Sequence, residues 1–206
     1  EMCIRDRQIG KFKVLTGHLS YAQLDRCPKE RQIITFLRNP TDRVISLYNY
    51  YKRNKDLDFW GKVGSKDLSI EEFLTVAEDQ VSDAQTRTIL GRNLSDPDQD
   101  VSEAISMLES DFTFTGITEL FDESVLLMSR KLSWVTTLYK KTNVGKYSFK
   151  NTHNKIRHLI DRSNQRDWIL YNKMKSNLEK QIEISSQNFL VELAEYRLQL
   201  MKYQIS

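Results

Sequence analysis

The segment QIITFLRNPTDRVISLYNYYKR, residues 32–53, constrains the fold more than any other part of the chain. Its first six residues are rich in β-branched and aromatic side chains, as expected of a short buried strand. The run stops at Arg38. Asn39 can then cap a helix, and Pro40 suits a first helical turn because the N–H it lacks would have no partner there. Apolar residues follow at helical spacing, which predicts a helix over residues 40–53 with Ser46 set among Val44, Ile45, Leu47 and Tyr48. A strand that feeds a helix through so tight a turn is a building unit of α/β proteins.

The rest of the chain repeats the alternation. FKVLT (residues 12–16) and FTFTG (residues 112–116) read as further strands. Ser69 with Glu72 forms a capping-box pattern before EEFLTVAED, and residues 82–90, 101–109 and 118–132 have helical spacing. Beyond Lys150 the pattern is wholly helical: residues 151–160, then 163–184, then a last helix to about Tyr203. Residues 61–66 and 93–99 read as surface loops. The fold class expected is α/β, with a short, mainly parallel sheet flanked by helices and a helical C-terminal third.

A chain of 206 residues, 39% hydrophobic and 29% charged, fits one ordinary globular domain. A net charge of +3 gives a weak overall field and does not suggest a nucleic-acid partner. Cys3 and Cys27 make neither a disulfide framework nor a zinc site, and no metal is expected. No apolar run is long enough to span a bilayer. The opening EMCIRDRQ has no signal-peptide pattern and reads as non-native, so the expectation is a single domain over residues 9–206, with residues 1–8 foreign to it.

In an open α/β sheet, ligands bind beyond the carboxyl ends of strands. Arg38 stands at such an end, next to a helix N-terminus where N–H groups and the dipole favour an anion. Asn39 and Ser46 lie two turns apart and share a helix face, so a guanidinium fork and a hydroxyl there can clamp a phosphate. The alternative is a surface ion pair for Arg38 and a bond from Ser46 back to its own helix. Upstream, TGHLSY places His18 just past the end of a neighbouring strand, and an imidazole is a natural base for a hydroxyl at neutral pH.

GHLSYA (residues 17–22) followed by ITFLRNPTDRVISLYNYYKR (residues 34–53) resembles the core of the membrane-type carbohydrate sulfotransferases, most of all the heparan sulfate and uronyl 2-O-sulfotransferases. Softer matches follow in the same order: DAQTRTILG (83–91), FTFTGITELFDESV (112–125), KKTNVGKYSFKNT (140–152) and NQRDWILYN (164–172). The resemblance implies a P-loop-type sulfotransferase fold. It also implies 3'-phosphoadenosine 5'-phosphosulfate (PAPS) as co-substrate, no metal, and a carbohydrate or glycan acceptor.

By that resemblance His18 is the catalytic base and Arg38 with Ser46 grips the 3'-phosphate. Lys141, Thr142, Asn143 and Lys146 bind the cofactor from a basic loop, for which a merely solvated loop is the alternative. Arg87 meets the anionic acceptor or the cofactor. The family's P-K-T-G-T/S loop, which wraps the 5'-phosphosulfate, has no counterpart in this sequence. The expectation is therefore a truncated fragment, inactive or nearly so, whose sheet lacks a strand.

Two other readings compete. A nucleoside-phosphate kinase would need a GxxxxGK[ST] loop, and the chain has none. A non-catalytic glycan- or protein-binding domain of the same fold is the second, and the long C-terminal helices could support a homo-oligomer, although core packing also explains their apolar stripes. The compartment expected is cytoplasmic for a bacterial protein and Golgi lumenal for a eukaryotic one.

Overall fold

The structure, a computed structural model, describes residues 16, 17, 19–54, 67–135, 138–140, 154–185 and 187–205. The strand expected at residues 12–16 and the loop expected at 61–66 fall outside these, apart from Thr16.

The strand–turn–helix unit folds as its residues dictate. Strand β1 is Ile34–Leu37 and helix α1 is Pro40–Arg53, with the Asn39 side chain accepting the Asp42 N–H at 3.1 Å. Strand β2, Phe114–Ile117, pairs parallel to β1 with Ile34 opposite Phe114 and Leu37 opposite Ile117. Both strands are displaced from their expected bounds. The Thr113 and Phe114 N–H groups converge on the Ile33 carbonyl, at 2.8 and 3.3 Å, so the regular ladder starts two residues later than either expected strand.

Between the strands lie helices α2 (Ile70–Val76), α3 (Glu78–Val81), α4 (Ala84–Leu90) and α5 (Pro97–Ser110). The capping box is formed, with Ser69 N–H donating to Glu72 at 2.7 Å and Glu72 N–H donating to Ser69 Oγ at 3.2 Å. Helix α5 begins four residues before the apolar pattern does. Asp96 caps it by accepting the Gln99 N–H at 2.8 Å and Pro97 opens its first turn, which shortens the loop expected at 93–99. The pattern at 118–132 divides into a 3-10 turn, Thr118–Leu120, and helix α6, Phe121–Leu132. Helices α7 (Asn154–Ser163), α8 (Gln165–Ile184) and α9 (Gln187–Ile205) complete the helical C-terminal third.

Two apolar clusters hold these elements. The first joins the sheet to α4, α5 and α8 through Leu37, Ile117, Ile89, Leu108, Leu170 and Met174. The second joins α1, α2 and α7 through Val44, Ile45, Tyr51, Phe73, Ile156 and Ile160. Helix α9 lays Phe189, Leu193, Tyr196 and Leu200 against α6 and leaves Leu190, Val191, Leu198 and Met201 more than half exposed on another face. No helix among the described residues is long and apolar enough to cross a membrane. A short parallel sheet between helices is the sulfotransferase-type α/β arrangement expected, with the C-terminal ends of both strands at one edge.

Candidate functional site

Where β1 ends, its backbone is held by side chains from two other elements, α4 and the 3-10 turn Thr118–Leu120. The Thr118 hydroxyl donates to the Leu37 carbonyl at 3.1 Å. The Gln85 carboxamide brackets Arg38, accepting its N–H at 2.8 Å and donating to its carbonyl at 2.9 Å. The Asn39 N–H donates to Glu119 at 2.9 Å, and the Tyr171 hydroxyl donates to the other Glu119 oxygen at 3.1 Å. Burial and the adjoining Glu119 carboxylate push the Tyr171 hydroxyl well above its ordinary range, so it stays a donor. The N–H groups of Asn39 and Asp42 are therefore satisfied within the protein, and Pro40 has none. An anion at this turn must rely on side chains more than on the helix end.

Those side chains are available. Arg38 is half-buried, and no ion pair joins its guanidinium to any described residue. Ser46, two turns into α1, is also half-buried, and its hydroxyl makes no bond back to its own helix among the described residues. Neither alternative raised by the local pattern is realised there. Arg43 sits three residues before Ser46 on the same helix face. Its Nη2 donates to the carbonyls of Gln80 and Val81 at 3.1 and 3.0 Å, while its buried Nε finds no acceptor among the described residues. Burial first, then the nearby charges of Arg87 and Arg38, push the Arg43 guanidinium below its ordinary range against the pull of Asp167 and Asp83. Arg38 and Arg87 thus share the electrostatic surroundings of Arg43 with the carboxylates of Asp167 and Asp83, and the Arg43 Nε among them has no acceptor among the described residues.

Arg87 is less free than its motif suggests. Its guanidinium donates to the Asp79 carbonyl and, at 3.0 Å, to the Ser82 carbonyl, so it closes the end of α3. It still lines a surface cleft of about 490 Å³ with Ser20, Thr88, Arg92 and Asn93. Ser20 caps the 3-10 turn Tyr21–Arg26 and is two residues from His18 in sequence. At the foot of this cleft Gly91, with φ of 67°, ends α4, and a Cβ there would stand 2.5 Å from the Ala22 nitrogen. Only glycine permits both the left-handed backbone and that approach.

Behind the site lies a buried polar brace that sequence reasoning missed. Asp167, in the first turn of α8, accepts the Gln85 N–H at 3.0 Å and the N–H and hydroxyl of Thr86 at 2.7 and 2.8 Å. Asp83, left-handed with φ of 45°, starts α4; its carboxylate accepts the Asp167 N–H at 3.1 Å and Arg166 at 3.0 Å. Asn164 accepts the Asp83 N–H at 3.1 Å. Burial pushes the Asp167 carboxyl above its ordinary value, opposed by its three donors and by Arg43. The signal was present, since DAQTRTILG and NQRDWILYN both stand out in the chain, but nothing in their spacing says that they touch.

The structure therefore sets Arg38 and Arg87, together with Asp83 and Asp167, in the electrostatic surroundings of Arg43 and sets Ser46 on Arg43's helix face. His18, Lys141, Thr142, Asn143 and Lys146 lie outside the described residues. Among the described residues no group of three or more His, Cys, Asp or Glu side chains is arranged to hold a metal ion.

A family model described as galactose-3-O-sulfotransferase matches residues 5–202. A comparison with curated proteins gave no match. The family match supports carbohydrate sulfotransfer and does not support the nearer placement with the heparan sulfate and uronyl 2-O-sulfotransferases. With nearly its whole length matched and a short parallel sheet whose first strand ends at Arg38, the chain belongs to the galactose-3-O-sulfotransferase family, a family of transferases acting on carbohydrate.

Proposed function

We propose that this protein transfers a sulfuryl group from PAPS to a hydroxyl of a galactose-containing glycan. One observation carries the reading: the Arg38 guanidinium at the end of β1 and the Ser46 hydroxyl two turns into α1 have no partner among the described residues, and neither has the Nε of Arg43, three residues before Ser46. Buried or half-buried donors without acceptors fit a bound anion. Arg38 and Ser46 hold the 3'-phosphate, and Arg43 adds charge behind them.

In the reaction the acceptor hydroxyl oxygen forms a bond to sulfur while the bond from sulfur to the 5'-phosphate oxygen breaks. Adenosine 3',5'-bisphosphate leaves, and His18 takes the acceptor proton. Lys141, Thr142, Asn143 and Lys146 close over the nucleotide, and Arg87 faces the acceptor from its cleft. Catalysis rests on positioning and charge, with no covalent enzyme intermediate. The uronyl 2-hydroxyl suggested by the sequence resemblance is the competing acceptor. A panel of galactosyl and uronyl oligosaccharides with labelled PAPS separates the two, and transfer to neither leaves the non-catalytic binding reading.

The site itself is tested by calorimetric titration of adenosine 3',5'-bisphosphate. One charge-assisted contact is worth about 1.5–3 kcal/mol, so Arg38→Ala should weaken binding by roughly 10- to 150-fold. Unchanged affinity removes Arg38 from the site. In a protein that also carries the 5'-phosphosulfate loop this sequence lacks, His18→Ala should abolish transfer from labelled PAPS while leaving bisphosphate affinity within about twofold of wild type; this chain alone should transfer little or none.

A further inference from the structure

We infer that Gln85 is a positioning residue for the 3'-phosphate clamp, setting the direction of Arg38 by gripping its backbone; this rests on the reading of Arg38 as a phosphate ligand. The ladder between β1 and β2 stops at Leu37 opposite Ile117, so the Arg38 peptide groups lie beyond regular sheet pairing. An arginine that must meet a phosphate in a fixed fork geometry needs a fixed Cα–Cβ direction, and a free strand end does not supply one.

The Gln85 carboxamide substitutes for the missing neighbour. Its Oε1 accepts the Arg38 N–H at 2.8 Å and its Nε2 donates to the Arg38 carbonyl at 2.9 Å, as a peptide group of an adjacent strand would. Gln85 is itself anchored. Its own N–H donates to the fully buried Asp167 carboxylate at 3.0 Å, and the next residue, Thr86, donates to the same carboxylate twice. The path from the core of α8 to the backbone of Arg38 is therefore a continuous run of hydrogen bonds.

The chemistry demands a group that donates and accepts at once. A carboxylate cannot, because both of its oxygens are acceptors and one would face the Arg38 carbonyl. A protonated carboxyl can. Gln85→Glu is therefore a switchable variant: broken when ionised and restored when protonated. Titratable and charged groups around this position are Asp167 from α8, Arg38 and Arg43 from the β1–α1 segment, Asp83 and Arg87 from α4 and its start, and Glu119 beyond β2. All of them are present in the wild-type protein, which serves as the control at each pH.

The experiment compares affinities for adenosine 3',5'-bisphosphate and adenosine 5'-monophosphate, whose difference isolates the 3'-phosphate. Near pH 7.5, Gln85→Glu should reduce that preference about tenfold relative to wild type. The preference should return as the pH falls to about 5, where a carboxyl facing a carbonyl takes up its proton. Gln85→Met, similar in size and without polar atoms, should lose the preference at every pH, and the Arg38 amide should exchange its hydrogen faster. If Gln85→Glu fails to fold, the Met variant decides alone. A preference equal to wild type in Gln85→Glu near pH 7.5, or in Gln85→Met at any pH, overturns the inference, as does an equal loss for both nucleotides or a loss in Gln85→Glu that acid does not relieve. A wild-type protein with no preference for the bisphosphate refutes the Arg38 reading itself, and the inference with it.

Discussion

Asp167 and Thr86 meet twice: one Asp167 carboxylate oxygen accepts the Thr86 N–H at 2.7 Å and its hydroxyl at 2.8 Å, with both residues completely buried. This contact fastens the start of α4 to the start of α8, and through Gln85 it reaches the strand end that carries Arg38.

Asp167→Asn should destabilise the fold by about 1–3 kcal/mol, because an amide nitrogen would face an N–H donor that only an oxygen can satisfy. Urea denaturation measures this directly. A variant as stable as wild type would mean that the brace is not formed as described.

Ser46→Ala should separate binding from stability. The loss of one hydroxyl contact to a phosphate should weaken adenosine 3',5'-bisphosphate binding about 3- to 10-fold. Thermal stability should stay level or rise slightly, since alanine is the better helix former and the hydroxyl has no partner among the described residues. A fall in melting temperature with unchanged affinity would assign Ser46 a structural role instead.

Gly116→Ala tests the sheet. Gly116 lies opposite Phe36 in the ladder, and a Cβ there would stand 2.4 Å from the Phe36 ring. That ring is also 5.1 Å from Phe121, which limits its retreat. Overpacking of this kind costs about 1–3 kcal/mol, read as a lower melting temperature of about 2–4 °C per kcal/mol. An unchanged melting temperature would show that Phe36 moves aside freely.

The acid side of the stability profile should reflect Asp100. Burial pushes its carboxyl up, but hydrogen bonds from Arg92 and the Ser95 N–H, with the charges of Arg92 and Arg166, hold it below its ordinary value. A depressed folded-state value means that its stabilisation is present above the unfolded carboxylate range near ~3.9 and is lost as the pH falls through the folded value. Asp167, with a raised value, has the opposite sign: its contribution is present at low pH and is lost as the pH rises. Asp100→Asn should therefore be less stable than wild type at pH 7 and lose stability less steeply between pH 5 and 3. Equal slopes in urea midpoints would remove Asp100 from the acid response.

Features that depend on near neighbours follow from the order of residues alone. The helix Pro40–Arg53, the Asn39 cap and the Ser69–Glu72 capping box came out at their predicted residues, because a cap and its N–H partner are three positions apart. The parallel α/β class followed from the alternation of strands and helices. Boundaries slipped where a longer-range bond decided them. β2 begins at Phe114 because Thr113 turns its N–H to Ile33, 80 residues away.

The site divided in the same way. That Arg38 follows a strand end and Ser46 lies within the next helix was legible because both are local geometry. Only the tertiary structure placed Gln85 against the Arg38 backbone and Asp167 beneath Thr86, 81 residues apart in sequence. It alone placed the charges of Arg38 and Arg87 beside Arg43. Hydrogen bonds between distant elements depend on how the helices pack around the sheet, and no periodicity in the chain encodes which polar side chain will face which backbone group once the apolar faces are buried.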